Sequence, residues 1–408
     1  MTKVENTIFD FIKKHLSVIL FLAVTALGIL MRVPGLDFES VDYQAFLNPW
    51  WDTIRANGAN GLSQQVGNYN IPYQILTYLL TLLPFKALHA YKFVSIIFDY
   101  ALAISAGLIA FELTGRKKLF VPVLTYSIVL CSLAVVFNSA FWAQCDSIYV
   151  SFILLAIYFC MRNKNILCFV MLGLSLAFKL QVVFIIPAFL YYYVSTRKIS
   201  FLHFLIIPAV DILLCAPALL FGRSFADIFL IYFQQTDYGH AITMNYPNIY
   251  ALLCQDSAEG DYYLLKPLTI FLTFSVLGVV LAVVFKKGYD LSDPEKFLLT
   301  SIWTSFTCLM FLSSMHERYS YLLDVLLIVY AVIFKKRFFV AAAANLISLR
   351  GYGNFMFSGA IDLRLTAVFN IGLYAYITWI YLRDILASGG TKDGENKIKG
   401  EKPGKVRA

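Results

Sequence analysis

Two groups of polar residues interrupt otherwise apolar stretches of this chain. Asp42 follows the first apolar segment, and His316, Glu317 and Arg318 stand together between two later ones. A carboxylate can take the proton from an attacking hydroxyl group, and a guanidinium group can bind phosphate oxygens through two parallel hydrogen bonds. If the two groups meet in the fold, we expect a displacement reaction in which a phosphate leaves and the carboxylate is the general base.

Further polar residues stand where apolar segments begin or end. Lys179 and Gln181 lie between two short apolar segments, and a cation at membrane depth costs roughly 2.5–3.5 kcal/mol on insertion scales. Such a cation either extends to the water or neutralises an anionic ligand, and we expect the second for Lys179. Glu39 is a candidate helper or substitute for the base. The remaining candidates are contacts to the substrate or its phosphate: Gln144, Asp146, Gln181, Asn245, Glu317 and Tyr319.

Each candidate also has a structural interpretation. Glu39 could cap a helix that begins near Val41, and Asp146 could cap the next apolar segment, because Asp and Ser are favoured at helix N-termini. The run 316–318 could join two helix ends through ion pairs. Trp50 and Trp142 could stack on a sugar ring or belong to an interfacial aromatic belt.

Three carboxylates lie inside apolar segments, where a transporter would use them as ion sites. Asp99 follows Lys92 by seven residues on the same helical face, so we predict a structural role for it. Asp211 and Asp324 receive no assigned role.

The composition predicts a polytopic membrane protein. Of its 408 residues, 60% are hydrophobic and 14% are charged, whereas soluble proteins carry about 25% charged residues. The seven cysteines include no C-x-x-C pair, so we predict small buried side chains and not disulfides or zinc ligands. The five histidines are scattered. We therefore predict no cofactor and no metal, with a divalent cation on the acidic residues as the alternative.

About 20 apolar residues cross the hydrocarbon core, and the pattern predicts twelve transmembrane helices in an all-α fold. The clear segments are 15–33, 91–112, 119–138, 200–221, 263–285, 296–313 and 360–382. The shorter ones are 147–162, 166–178, 182–195, 320–334 and 338–350.

The basic residues orient these segments. Lys and Arg collect in cytoplasmic loops, and this places both termini in the cytoplasm, so the net charge of +8 indicates no nucleic-acid partner. A span at 72–85 would export the basic cluster 116–118, so we predict an embedded or surface helix there. The membrane domain is predicted over 1–387, with outer loops 34–90 and 222–262 forming the active-site face, and a disordered basic tail over 388–408.

Four sequence motifs, all predicted on the outer side, resemble those of one family. They are Ser40-Val41-Asp42-Tyr43 with Pro49-Trp50, Trp142-Ala143-Gln144-Cys145-Asp146-Ser147, Phe178-Lys179-Leu180-Gln181, and Met315-His316-Glu317-Arg318-Tyr319. In this set the chain resembles the GT-C superfamily of membrane glycosyltransferases, and within it the bacterial branch related to the mannosyltransferases that build GPI anchors. Ala143 stands where the family usually has Gly.

The resemblance implies a function. It implies transfer of a hexose from a polyprenyl-phosphate donor to a cell-surface glycan, glycolipid or protein, with inversion and with Asp42 as the base. It also implies that His316, Arg318 and Lys179 bind the phosphate in a site that faces away from the cytoplasm.

Two other functions remain open. A lipid-linked saccharide flippase or transporter would use the intramembrane acids, although the inverted repeats typical of transporters are not found. A polysaccharide polymerase or ligase would carry a large late outer loop with Arg and His residues, of which the loop 222–262 holds few.

Overall fold

A computed structural model describes residues 1–236, 239–254, 259–359 and 361–400 of the chain. In this part, the regular structure is almost entirely helical, and the predicted all-helical class is confirmed. The α-helices are α1 (Lys3–Arg32), α2 (Asn48–Asn57), α3 (Ile71–Thr81), α4 (Ala87–Leu113), α5 (Phe120–Leu130), α6 (Leu133–Val136), α7 (Asp146–Met161), α8 (Asn165–Phe178), α9 (Ile186–Thr196), α10 (Ile206–Leu220), α11 (Asp227–Thr236), α12 (Ile249–Leu253), α13 (Glu259–Lys287), α14 (Pro294–Phe311), α15 (Tyr321–Ile333), α16 (Phe338–Phe357) and α17 (Leu363–Gly400).

Shorter elements connect these helices. Two are π-helical turns, Tyr43–Leu47 and Phe137–Phe141. The 3₁₀ turns are Val33–Gly35, Gly58–Ser63, Leu180–Phe184, Phe201–Leu205, Glu317–Ser320 and Lys335–Arg337. Strand β1 (Thr243–Met244) pairs in parallel with β2 (Met315–His316), and this pairing brings the loop before α12 against the loop before α15.

Five helices in the described part of the chain are long and apolar enough to cross a membrane, or six if one bent pair is a single span. The five are Lys3–Gly35, Ala87–Leu113, Phe201–Leu220, Asp261–Lys287 and Leu363–Ser388. Shorter apolar helices cover Asp146–Met161, Asn165–Phe178 and Leu180–Thr196. These helices support the prediction of a membrane protein.

Two of the clear predicted segments differ from a straight apolar span. The segment 119–138 is bent by 50° between α5 and α6, because Ser132 leaves the helical conformation with ψ 127°. The segment 296–313 forms α14, which does not rank with the five because Glu295, Lys296 and several Ser and Thr residues lower its hydropathy.

Two further predictions, the helix at 72–85 and the disordered tail from 388, can be compared with the helices. The segment 72–85 forms α3, whose 11 residues extend about 16 Å and are too short to cross the hydrocarbon core. The last helix continues to Gly400, so the start of the predicted disordered tail at 388 is helical, since each added residue gains one backbone hydrogen bond. Residues 401–408 lie outside the described residues.

A buried ion pair joins α1 to α4, but its partners differ from the prediction. Asp99 accepts a hydrogen bond from Arg32 Nε at 2.8 Å and another from Ser139. Lys92 instead donates to the carbonyl oxygens of Gly35 at 2.7 Å and Phe38 at 2.5 Å. The carbonyl groups after a helix end lack intrahelical partners, so Lys92 satisfies those that follow α1. The structural role predicted for Asp99 therefore depends on Arg32 and not on Lys92.

The other two intramembrane acids are also buried. Asp211 accepts from the Tyr232 hydroxyl at 2.9 Å. Asp324 accepts from Ser320 at 3.4 Å, just after the turn that carries Arg318.

Candidate active site

The first carboxylate of the site is held at the start of a helical run. Ser40 Oγ accepts from the backbone N–H of Tyr43 at 3.2 Å and donates to the carbonyl oxygen of Trp142 at 3.0 Å. Ser40, and not Glu39, is therefore the cap of this run. Asp42 lies in its first turn, directly before a π-helical turn, an irregularity that is frequent at functional sites.

Two side chains orient the Asp42 carboxylate. Asp42 Oδ2 accepts from Trp142 Nε1 at 2.8 Å and from Gln144 Nε2 at 2.9 Å. Among the described residues no donor is bonded to Oδ1, so one oxygen is fixed and the other is left for a ligand. A carboxylate oriented in this way can accept the proton of a bound hydroxyl group.

The segment 142–144 reaches Asp42 through an unusual backbone. The second π-helical turn, Phe137–Phe141, ends at Trp142, and Ala143 then adopts a left-handed conformation with φ 60°. An L-residue pays roughly 1–2 kcal/mol there, and glycine pays none of it. The position at which the resembled family usually has Gly is thus one where the backbone favours Gly.

Arg318 lies beside Asp42, and its N–H groups form no hydrogen bonds with the described residues. Its Nη1 lies 3.8 Å from Asp42 Oδ2 and 3.8 Å from Glu317 Oε1, and its Nε lies 3.9 Å from Asp146 Oδ2. Its Cζ lies 5.2 Å from the centre of the Trp142 ring. Within the described chain its guanidinium forms no hydrogen bond, and its buried Nε lacks a partner.

Lys179 is engaged by Asp146. Its ammonium forms a buried ion pair with the Asp146 carboxylate and lies 5.7 Å from the ring centre of Tyr69 and 5.6 Å from that of Tyr149. Asp146 also accepts from Asn138 Nδ2 at 2.8 Å. Asp146 begins α7 but forms no capping hydrogen bond, because its carboxylate is used by Lys179 and Asn138.

The late motif adds a neutral histidine and a buried acid. Burial, followed by the charges of Arg318 and Lys179, lowers the pKa of His316 to about 3, so His316 is uncharged near neutral pH. Burial raises the pKa of Glu317, although Arg318 opposes this effect. Glu317 Oε2 has no hydrogen-bond partner among the described residues.

These side chains surround one cavity of about 370 Å³. Nine of the sequence-predicted site residues line it, and two do not. The nine are Asp42, Gln144, Lys179, Gln181, Asn245, His316, Glu317, Arg318 and Tyr319. Asn245 lies at this cavity because its backbone forms an antiparallel bridge with His316.

The two exceptions lie in different places. Asp146 lies behind the lining and is fully buried against Lys179 and Asn138. Glu39 is exposed and accepts a hydrogen bond from Gln44 Nε2 at 3.1 Å. The geometry thus brings Asp42, and not Glu39, to the cavity.

Sequence reasoning missed three partners of these residues. Tyr69 donates from its hydroxyl to Gln144 Oε1 at 2.9 Å, Asn138 holds Asp146, and the indole N–H of Trp142 holds Asp42. Trp142 belongs to the motif that contains Gln144 and Asp146, and Asn138 stands four residues before that motif, so the positions of both were a signal. Nothing in the sequence around Tyr69 distinguishes it from the other tyrosines.

In the described part of the chain, no group of three His, Cys, Asp or Glu side chains is arranged to hold a metal ion, and metal independence stays a prediction.

No known protein family matches this chain, and no curated protein has a similar sequence. The likeness to GT-C glycosyltransferases therefore stays a resemblance carried by the motifs, and the function is argued from the site.

Proposed function

We propose that this chain is an integral-membrane hexosyltransferase of the GT-C type. It transfers a hexose from a polyprenyl-phosphate donor to a cell-surface glycan, glycolipid or protein acceptor, with inversion at the anomeric carbon. Asp42 takes the proton from the acceptor hydroxyl as its oxygen bonds to the anomeric carbon. The bond from that carbon to the phosphate oxygen breaks, and the phosphate leaves with the electron pair.

The observation that carries this proposal is the unfilled guanidinium of Arg318 beside the oriented carboxylate of Asp42. A largely enclosed Arg whose N–H groups form no hydrogen bond with the described residues is suited to a ligand that supplies oxygens. A phosphate supplies them in the geometry that the guanidinium fork matches. Negative charge grows on that phosphate as the bond breaks, so donors that are already in place stabilise the transition state.

The charges around the cavity divide the roles of the two cations. Asp42, Asp146 and Glu317 all lie within 4.0 Å of Arg318, and Lys179 is paired with Asp146. Lys179 therefore sets the position of Asp146 and contributes a nearby positive charge, while Arg318 makes the direct phosphate contacts. Neutral His316 is a hydrogen-bonding group for the donor, with Gln181 and Tyr319 beside it in the lining.

The arrangement in the membrane is part of the proposal. Twelve spans place both termini in the cytoplasm and the cavity on the opposite side of the cell membrane. Ser63 lies at the end of the 3₁₀ turn before α3. In a chain whose seven native cysteines are replaced, we expect Ser63→Cys to react with a membrane-impermeant maleimide added to intact cells. Reaction only after the cells are opened would contradict the outward orientation.

Transfer from a panel of polyprenyl-phosphate-linked hexoses to endogenous acceptors in membranes tests the class. We expect label to move from at least one donor, and nuclear magnetic resonance of the product to show the opposite anomer. Movement of lipid-linked sugar across the bilayer without transfer would favour a flippase. Growth of the product by repeated multi-sugar blocks would favour a polymerase.

A further inference from the structure

The cavity extends beyond Asp42 and Arg318 into a part whose lining, among the described residues, includes no carboxylate. We call this part the amide end, and it is lined by Trp50, Asn68, Gln235, Thr236 and Lys266. Gln235 Nε2 donates to the carbonyl oxygen of Asn68 at 2.7 Å, and Lys266 Nζ donates to that of Thr236 at 2.8 Å. These contacts hold α11 against the loop before α3, and α13 against the end of α11.

The ring of Trp50 is held in one orientation at this end. Gly67 lies against its face with φ 76°, and a Cβ added there would be 2.3 Å from Trp50 Cε2. The rings of Tyr69 and Phe46 pack on it with centroids 5.4 Å and 5.9 Å away. A fixed aromatic wall of this kind costs little conformational entropy when it binds a ligand.

The distance from the base to this wall follows from the helix. Asp42, Phe46 and Trp50 are spaced by four residues on one helical run that continues to Asn57, and all three line the cavity. At 1.5 Å per residue, Trp50 stands about 12 Å along the run from Asp42. A single pyranose ring whose hydroxyl reaches Asp42 is too short to cover Trp50 as well.

The chemistry of the amide end matches a neutral saccharide. Amide and hydroxyl groups pair with sugar hydroxyl groups, and an aromatic face packs on the apolar C–H face of a sugar ring. An isoprenoid chain in this position would take the side-chain amides of Asn68 and Gln235 out of water without offering them any new hydrogen bond.

We propose that the amide end binds the acceptor, and that this acceptor is an oligosaccharide of at least two neutral sugar residues. The inference rests on the proposed function. In an inverting displacement the entering hydroxyl and the leaving phosphate lie on opposite sides of the anomeric carbon. Arg318 marks the phosphate side, so the acceptor extends away from Arg318 and its second or third ring stacks on Trp50. Tyr69 connects the amide end to the base. Its ring packs on Trp50, and its hydroxyl donates a hydrogen bond to Gln144, which in turn donates to Asp42.

The experiment measures kcat/KM for gluco- and manno-oligosaccharides of one to four residues with the full chain in lipid nanodiscs. We expect the trisaccharide to exceed the monosaccharide by roughly three- to tenfold, the range that one aromatic contact supplies. Trp50→Ala lowers kcat/KM for the trisaccharide more than for the monosaccharide, so that the gain is lost, and Trp50→Phe retains most of the gain. Trp379→Ala, an exposed tryptophan on α17, is the matched control and leaves the gain unchanged.

Two results would overturn the proposal. In the first, Trp50→Ala lowers transfer to the monosaccharide and the trisaccharide equally. In the second, it discriminates between donors of different chain length and not between acceptors. Quenching of tryptophan fluorescence by the trisaccharide, lost in Trp50→Ala, measures binding without transfer. Quenching without any transfer would contradict the transferase and retain the saccharide site, whereas transfer without this quenching would contradict the saccharide site alone.

Discussion

At the scale of single residues, the site depends on which hydrogen-bond donors are already used. Lys179 and Arg318 look equivalent in the sequence, since both are cations within motifs on the predicted outer side. In the fold Lys179 is paired with buried Asp146, while Arg318 is near three carboxylates but bonded to none of them. The two residues should therefore respond differently to substitutions that keep the charge.

Arg318→Lys keeps the charge and removes the planar fork. We expect it to lower kcat/KM by roughly 10²–10³, as the loss of one transition-state donor does, with an unchanged melting temperature. Lys179→Arg keeps the ion pair with Asp146, so its effect on kcat/KM should be much smaller. Equal and negligible effects of both changes would show that the cluster only joins helix ends.

His316 makes the folding stability depend on pH. Its pKa is about 3 in the fold and ordinarily 6.5, so between these values the unfolded chain binds more protons than the folded chain. The contribution of His316 to the free energy of unfolding is fully present above about pH 6.5 and decreases as the pH falls towards 3. From pH 7 to pH 5 the loss attributable to His316 is at most about 2 kcal/mol.

Thermal unfolding in detergent at the two pH values measures this loss. His316→Asn does not titrate, so the variant should lose less stability than the native chain over the same interval. An identical loss in both proteins would mean that His316 gains protons as readily in the fold as in the unfolded chain.

At the scale of elements, irregular backbone brings the site together. A π-helical turn follows Asp42, another precedes Trp142, and Lys179 stands in the break between α8 and a 3₁₀ turn. The left-handed residue Gly67 supports the Trp50 ring. Such breaks turn side chains into the cavity that a continuous helix would direct elsewhere.

Gly67→Ala tests the support of Trp50. Gly58→Ala is the matched control, because Gly58 has φ 57° and nothing within 4 Å of an added Cβ. Both changes should destabilise the fold by roughly 1–2 kcal/mol through the left-handed backbone. Only Gly67→Ala should also remove the preference for longer acceptors, since it displaces the indole ring. The same acceptor preference in both variants would contradict the role of Trp50.

At the scale of the whole molecule, the sequence predicted the composition of the site better than its connections. Asp42, Gln144 and Arg318 were recognisable because polar residues at the ends of apolar segments are costly and therefore informative. The partner of Asp99 was not, since a same-helix spacing suggested Lys92 whereas Arg32 arrives from another helix. Tyr69 was also missed, because a hydrogen bond to a residue 75 positions away leaves no local pattern.

The apolar segments show the same limit. Runs of apolar residues located the helices, but the bend at Ser132 accompanies a tertiary contact, its hydrogen bond to Asn345 at 3.0 Å. Glu39 illustrates the opposite case, in which a plausible residue type three positions from Asp42 faces solvent and not the cavity. Glu39 precedes the cap residue Ser40, whereas Asp42 lies in the first turn after it, so the start of this helix separates the two acids.

The central claim is that this chain transfers a sugar with Asp42 as the base. The most direct measurement is transfer of radiolabelled hexose from polyprenyl-phosphate donors in membranes that contain the native chain, Asp42→Asn or Glu39→Gln at equal expression. We expect transfer by the native chain and by Glu39→Gln, and a loss of at least roughly 10²-fold in Asp42→Asn. Full transfer by Asp42→Asn would contradict this claim.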